Sequence, residues 1–442
     1  MSQNKIEPRT LPGFMELLPN EQILFNQIQE KIKKSYEKFG FLPLDTPIIE
    51  HAEVLLAKAG GETEKQIYRF NKGDHDLALR FDLTVPLAKY VAMHYGELSF
   101  PFKRYQIGKV YRGERPQKGR FREFYQCDID IIGDTELNNL YDAELPNVIY
   151  TTFQELGFSD FTIHINNRKI LNGLFSSLEL TNISSDIMRI IDKIAKIGEE
   201  NVIKELSELN IDAEKISTIM KFIAISGNND EKITLLESIG INDETFVTGL
   251  NELKEVINCM RLFGMPENSF MIDLTIARGL DYYTGTVYET FLNDYPQLGS
   301  VCSGGRYDNL AEYYTNKKLP GVGISIGLTR LFYKLNELNV IKTNKNSIAD
   351  VLMVSASEDI SACLPAATSL RNSNINTEVY MENKKMKSKF KYADKLCIPF
   401  VATIGETEIE TNTISLKNMT TGEQVQVSIE DAITIIKNTI KL

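Results

Sequence analysis

YRGERPQKGRFREFYQCDIDII, residues 111–132, is the stretch from which the fold can be read. Its second half separates by parity, because successive side chains of a strand point to opposite faces. Tyr125, Cys127, Ile129 and Ile131 make an apolar face, whereas Arg122, Phe124, Gln126, Asp128 and Asp130 share the other. A strand that turns an arginine, an aromatic ring, an amide and two carboxylates away from its apolar face has the make-up of a pocket floor. The alternative for such a face is plain solvation. Residues 112–120 hold four Arg or Lys residues and read as a basic loop, and residues 102–111 form the partner strand on its other side. Strands joined this closely pair antiparallel.

Outward from this pair, Leu24, Ile28, Ile32, Tyr36 and Phe39 recur at helical spacing and Gly40 supplies a stop, predicting one long amphipathic helix over 20–40. Residues 41–49 are strand-like but contain Pro43 and Pro47, which confines them to a sheet edge or a subunit interface because proline cannot donate to a ladder. Residues 67–70 and 77–81 flank Asn71-Lys72-Gly73-Asp74 and predict a hairpin. From 173 to 262 the texture becomes helical and rich in Ile, Leu, Lys and Glu, predicting a helical insertion. Strands return at 269–278 and 284–292, and a strand-to-helix step follows at 321–335. Beyond 342, alternating strand and helix patterns predict a separate α/β domain. The expected organisation is therefore α+β: residues 1–172 and 263–342 as two parts of one antiparallel-sheet domain flanked by helices, 173–262 as the insertion, and 343–442 as the C-terminal domain.

Composition bounds the function. The chain has 442 residues, too many for one ordinary core, with 43% hydrophobic and 25% charged residues, as in well-packed globular proteins. A formal charge of −11 excludes a nucleic-acid binder that works by bulk positive charge, so any RNA contact must use local basic patches. The five cysteines, at 127, 259, 302, 363 and 397, include no Cys-x-x-Cys pair, which speaks against a disulfide framework or a structural zinc and fits a reducing cytoplasm. The first nineteen residues, broken by Pro8, Pro12 and Pro19, lack the order of a signal peptide, and no run of 18 apolar residues exists to span a membrane.

YRGE at 111–114 and RFREF at 120–124 resemble the second signature motif of class II aminoacyl-tRNA synthetases. That resemblance assigns Arg112 to the α-phosphate of ATP and Phe124 to the adenine ring; a guanidinium matches phosphate oxygens in a fork and an aromatic face suits a purine. Residues 41–50, with Pro47, resemble the first motif, a dimer-interface strand, and imply a homodimer. GVGISIG at 321–327, followed by Arg330, resembles the third. RGLDYYTG at 278–285 and SGGRYD at 303–308 are similar to the paired signatures of the histidyl-tRNA synthetases, and RFDLT at 80–84 to their histidine-binding strand. Asp82 stands where many bacterial members carry Glu, whereas the loop ERPQKGR at 114–120 is in the bacterial style.

Membership of this family would imply ATP-dependent activation of L-histidine, transfer to tRNA(His), and Mg2+ to neutralise the triphosphate, although the sequence carries no dedicated metal cage. Arg112 and Arg278 become the catalytic pair at the α-phosphate, with Arg278 the histidine-specific electrophile. Glu114, Arg120, Phe124 and Arg330 complete the ATP site. Asp82, Thr84 and Gln126 would hold the α-ammonium group and Asp130 and Tyr283 the imidazole, with Tyr282 and Arg278 also at the amino acid. Arg115, Gln117 and Lys118 in the loop would meet tRNA. In the C-terminal domain Lys384, Lys385, Lys387, Lys389, Lys391 and Lys395 crowd one helix beside Phe390 and Tyr392, and FKYADK at 390–395 resembles the family's anticodon-binding domain, which adds Lys385 and Lys389. A pocket built to pair an imidazole rejects analogues by roughly 10⁴-fold, so no editing domain is required. A regulatory paralogue of these enzymes would lack the C-terminal domain and erode Arg278.

Overall fold

The computed structural model describes residues 6–57, 62–115, 119–276, 282–341 and 345–440. The chain divides into two compact units, one built mainly from residues 28–338 and one mainly from 339–442.

In the first unit the strands are β1 (Leu42–Pro43), β2 (Ile49–His51), β3 (Arg69–Lys72), β4 (His75–Leu79), β5 (Phe102–Tyr111), β6 (Glu123–Ile132), β7 (Phe161–Asn167), β8 (Phe270–Ile272), β9 (Thr286–Leu292), β10 (Cys302–Tyr307) and β11 (Gly321–Ile326). Eight of them form one sheet in the order β1-β5-β6-β11-β10-β9-β7-β8, and β2-β4-β3 form a small sheet of their own. The large sheet is antiparallel from β5 through β7, as expected, while the short outermost strands β1 and β8 pair parallel with β5 and β7.

The apolar parity of β6 meets the core: Cys127, Ile129 and Ile131 are fully buried. Over this region the helix that ends at Lys38 is tied down by a hydrogen bond from the Tyr36 hydroxyl to the Cys127 carbonyl (3.0 Å) and by Ser35 against Thr152 (2.8 Å) of the helix Tyr141–Leu156.

Residues 41–49 do not form one strand. β1 lies on the large sheet and β2 on the small one, and the intervening segment carries Pro47. The predicted hairpin is present as β3–β4, closed by Gly73-Asp74 with Gly73 at φ +59°, the left-handed region that suits glycine. β8 stops at Ile272, well short of the expected strand, because Asp273 takes hydrogen bonds from the Thr275 amide (2.9 Å) and hydroxyl (2.6 Å) and turns the chain.

Helices run from Arg168–Ser177, capped by the Asn167 side chain on the Lys169 amide, to Glu244–Leu262. Gly173 lies inside the first of these helices, which is continuous across position 172. Its glycine is a packing device: a Cβ there would stand 2.4 Å from the Phe246 backbone nitrogen, and one at Gly249 would stand 2.7 Å from the Lys169 Cβ, so the two helices cross in close contact.

The second unit has β12 (Val351–Ser355), β13 (Thr377–Val379), β14 (Phe400–Ile404), β15 (Ile414–Asn418) and β16 (Gln424–Val427), in the order β13-β12-β14-β15-β16. β12 pairs parallel with both neighbours and is buried on both faces: Val351 and Met353 enter one apolar cluster, Leu352 and Val354 another. Helices Cys363–Asn372 and Ile429–Ile440 supply the first cluster and Met386–Lys395 the second, the sandwich that parallel strands require.

Candidate active site

Residues directly opposite in a ladder share a face. The register therefore lays two rows across the large sheet. One runs Arg104, Asp130, Gly323, Gly305, Val287; the other runs Gln106, Asp128, Ser325, Ser303, Glu289, His164. The glycines in the first row clear space for their neighbours. A Cβ on Gly323 would lie 2.0 Å from Asp130 Oδ1, and one on Gly305 would lie 3.0 Å from the Tyr283 ring.

Against these rows stands the segment Asp82-Leu83-Thr84. Asp82 Oδ1 accepts from the amides of Thr84 (3.2 Å) and Val85 (2.9 Å), capping the helix Thr84–Met93 and leaving its second oxygen uncommitted among the described residues. Asp82, Asp128 and Asp130 are 5%, 3% and 2% exposed, yet among the described residues the one guanidinium in an ion pair with them is Arg104, wholly buried, with Nη2 2.6 Å from Asp130 Oδ2. Tyr307 donates to Asp130 Oδ1 (2.7 Å). Burial, only partly offset by Arg104, raises Asp130; burial and the neighbouring acids push Asp128 up to about 7, and burial also raises Asp82. Gln126 donates to Ser325 Oγ (2.9 Å), while Gln126 Oε1 and Asp128 Oδ1 have no partner among the described residues. Three buried carboxylates around one arginine, with further acceptors unpaired, suit a small cation rich in N–H donors.

Beside this acidic cup the chemistry reverses. Arg112 is fixed by a hydrogen bond from Nε to the Phe81 carbonyl (3.2 Å) and lies between two rings, 4.3 Å from the Phe81 centroid and 5.1 Å from that of Phe124. Glu114 Oε2 is 3.5 Å from Arg120 Nη1, and the Arg122 guanidinium donates to the Glu114 carbonyl (3.0 Å). Arg330, on the first turn of the helix Leu328–Glu337, donates to the Leu298 carbonyl; burial, and then the positive charge of Arg120, weaken its hold on its proton. Guanidiniums that repel one another favour a polyanion between them. Glu289, in the second row, is pushed up to about 7 by burial and then by Asp192 and Asp273.

Residues 13–331 match the family described as Histidyl-tRNA synthetase, and residues 346–439 match that described as Anticodon binding domain. The chain is 57% identical over 439 residues to the Histidine--tRNA ligase of Clostridium tetani, covering 99% of this chain and 100% of the relative. The chain belongs to the histidyl-tRNA synthetase family. Among solved structures, a histidyl-tRNA synthetase from Nostoc sp. PCC 7120 superimposes with TM-score 0.89 at 41% identity, covering 98% of this chain and 100% of that one. An ATP phosphoribosyltransferase regulatory subunit/histidyl-tRNA synthetase from Bacillus halodurans C follows with TM-score 0.74 at 19% identity, over 91% and 99%, a likeness of fold alone.

The structure thus brings Asp82, Thr84, Gln126, Asp130, Tyr282 and Tyr283 to one face and Arg112 and Phe124 beside them. Arg278, Gln117 and Lys118 lie outside the described residues. Arg115 and Lys385 are exposed. Lys389 departs from expectation: it is 3% exposed, its ammonium donates to the Ser355 carbonyl (2.8 Å), and it serves the fold of its own unit rather than a surface open to RNA. Phe390 and Tyr392 likewise pack into the second cluster, with the Tyr392 hydroxyl on Glu378 (2.7 Å). Arg104, Tyr307 and Ser325 were not legible as site residues. Arg104 shares a parity with Gln106 in a predicted strand, but only the register places it opposite Asp130.

Proposed function

We propose that this chain activates L-histidine with ATP, giving histidyl-adenylate and pyrophosphate, and then transfers histidine to the 3′ end of tRNA(His). The observation that carries this reading is the acidic cup of Asp82, Asp128 and Asp130 next to the ring-sandwiched Arg112. An amino acid is a zwitterion, and the two environments receive its two ends. Asp82, Thr84 and Gln126 take the α-ammonium group, and Asp130 and Tyr283 the imidazole, with Tyr282 also at the amino acid. The carboxylate nucleophile is already ionised at neutral pH and needs no general base. Rate then comes from positioning and from positive charge at the phosphorus. Arg112 and Arg278 supply it at the α-phosphate, Arg120 and Arg330 at the outer phosphates, with Phe124 under adenine and Glu114 orienting Arg120.

Mg2+ fits the second row. Such an ion takes one or two carboxylates and otherwise phosphate and water. Glu289 is a carboxylate of that row which would hold it, and the bound ion would neutralise the triphosphate. Residues 1–172 and 263–342 form the catalytic domain, 173–262 the insertion, and 343–442 the anticodon-binding domain, in which Lys385 meets RNA together with Arg115, Gln117 and Lys118 of the loop. Two copies pair through the segment around Pro47, where Leu42, Ile48 and Ile49 are 57%, 40% and 48% exposed. No helix among the described residues is long and apolar enough to cross a membrane, and the free cysteines suit the cytoplasm.

The test is exchange of labelled pyrophosphate into ATP with each amino acid in turn. Histidine alone should support it; folded protein that exchanges with none, or with another amino acid, would overturn the reading. Arg278→Ala should keep histidine binding and slow exchange by at least roughly 10²-fold.

A further inference from the structure

Arg104 is, among the described residues, the largest fully buried side chain, and it has no part in the roles assigned above. Its Nη2 is 2.6 Å from Asp130 Oδ2 on β6 and 3.1 Å from the carbonyl oxygen of Leu83, the residue between Asp82 and Thr84. One nitrogen thus touches both walls of the acidic cup, the strand with the imidazole carboxylate and the segment with the ammonium ligands. Its Nε and Nη1 are buried without partners among the described residues, so the guanidinium is not spent on the surrounding core. A buried cation in such a place is an expensive way to fill volume, since an apolar side chain of similar size packs as well without desolvation.

We propose that Arg104 is a positioning residue for amino-acid selection, which holds the Asp130 carboxylate and the Asp82–Thr84 segment at the separation that matches the two ends of histidine. This rests on the reading of the cup as the histidine site. Its charge opposes the burial that would otherwise neutralise Asp130, and Asp128 draws on the same guanidinium field. Lysine keeps the charge but has no planar fork to span two acceptors.

The experiment measures pyrophosphate exchange by the full-length protein, its Arg104→Lys and its Arg104→Gln forms. Histidine is compared with homohistidine, one methylene longer, and melting temperatures are recorded alongside. In Arg104→Lys the KM for histidine should rise by about 10- to 100-fold, the preference for histidine over homohistidine should narrow, and the KM for ATP should stay within about 2-fold. Arg104→Gln should show the larger loss of both. An unchanged histidine KM, or a fall in kcat alone with the preference intact, overturns the proposal, as does failure of both variants to fold, which would make the residue a core element. If the unmodified protein exchanges with no amino acid, the functional reading fails first and this proposal falls with it.

Discussion

Asp128 provides the sharpest test of the electrostatics of the cup. It is 3% exposed, its Oδ1 is unpartnered among the described residues, and burial with the nearby Asp130 and Asp82 lifts it from 3.8 to about 7 despite Arg104. A carboxyl whose folded value is raised keeps its proton in the native state after the unfolded chain has released it. Between pH 3.8 and about 7 the native state therefore binds more protons, and stability falls as pH rises through that window. The single-site relation makes the penalty larger at about pH 8 than at about pH 5, a loss on the order of a few kcal/mol between them. Asp128→Asn has nearly the same shape and does not titrate. Chemical denaturation followed by circular dichroism, at both pH values and for both proteins, should show the variant gaining stability on the parent by that order as pH rises. Curves that stay parallel would refute the reasoning, because a buried acid that takes up a proton on folding cannot be silent to pH.

Three further outcomes follow from particular contacts. Gly323→Ala puts a Cβ 2.0 Å from Asp130 Oδ1, so the histidine KM in pyrophosphate exchange should rise on the order of 10-fold with the ATP KM unchanged. Lys389→Met leaves the Ser355 carbonyl without its buried donor, which should lower the stability of the C-terminal unit by about 1–3 kcal/mol while tRNA charging at a permissive temperature is hardly altered; a large loss of tRNA affinity without destabilisation would return this lysine to the RNA surface. Removing the residues after Lys342 should spare adenylate formation and weaken tRNA charging, and an equal loss of both would undo the assignment of separate roles.

Period-two alternation on one strand was enough to read the apolar face of β6, where Cys127, Ile129 and Ile131 are buried, because burial on that face leaves no freedom of register. Two misreadings have equally local causes. Pro43 and Pro47 were seen to restrict residues 41–49, but not that the chain would break between them and serve two sheets. Lys385 and Lys389 stand four apart in a lysine-rich segment that the sequence assigns to one helix. Lys385, however, is the N-cap, at φ −59° and ψ 144°, so its direction owes nothing to the helical period. The stripe that does follow the period is Lys389 with Ala393, and Ala393 is fully buried. An alanine four residues beyond a lysine was the available sign that this face turns inward.

Arg104 was illegible for a different reason: its meaning lies in a pairing across strands, and no periodicity within residues 102–111 reports what stands opposite. Once the register is known, the arrangement explains how a chain of net charge −11 can handle a triphosphate. Negative charge is concentrated in a buried cup and the cations stand at its rim, close enough that Arg112 lowers the proton affinity of Asp82. A zwitterion in that field has one favourable orientation, ammonium inward and carboxylate toward Arg112. The gradient that selects an amino acid therefore also points its nucleophilic oxygen at the place where Arg112 would grip the α-phosphate, so that binding and alignment draw on the same charges.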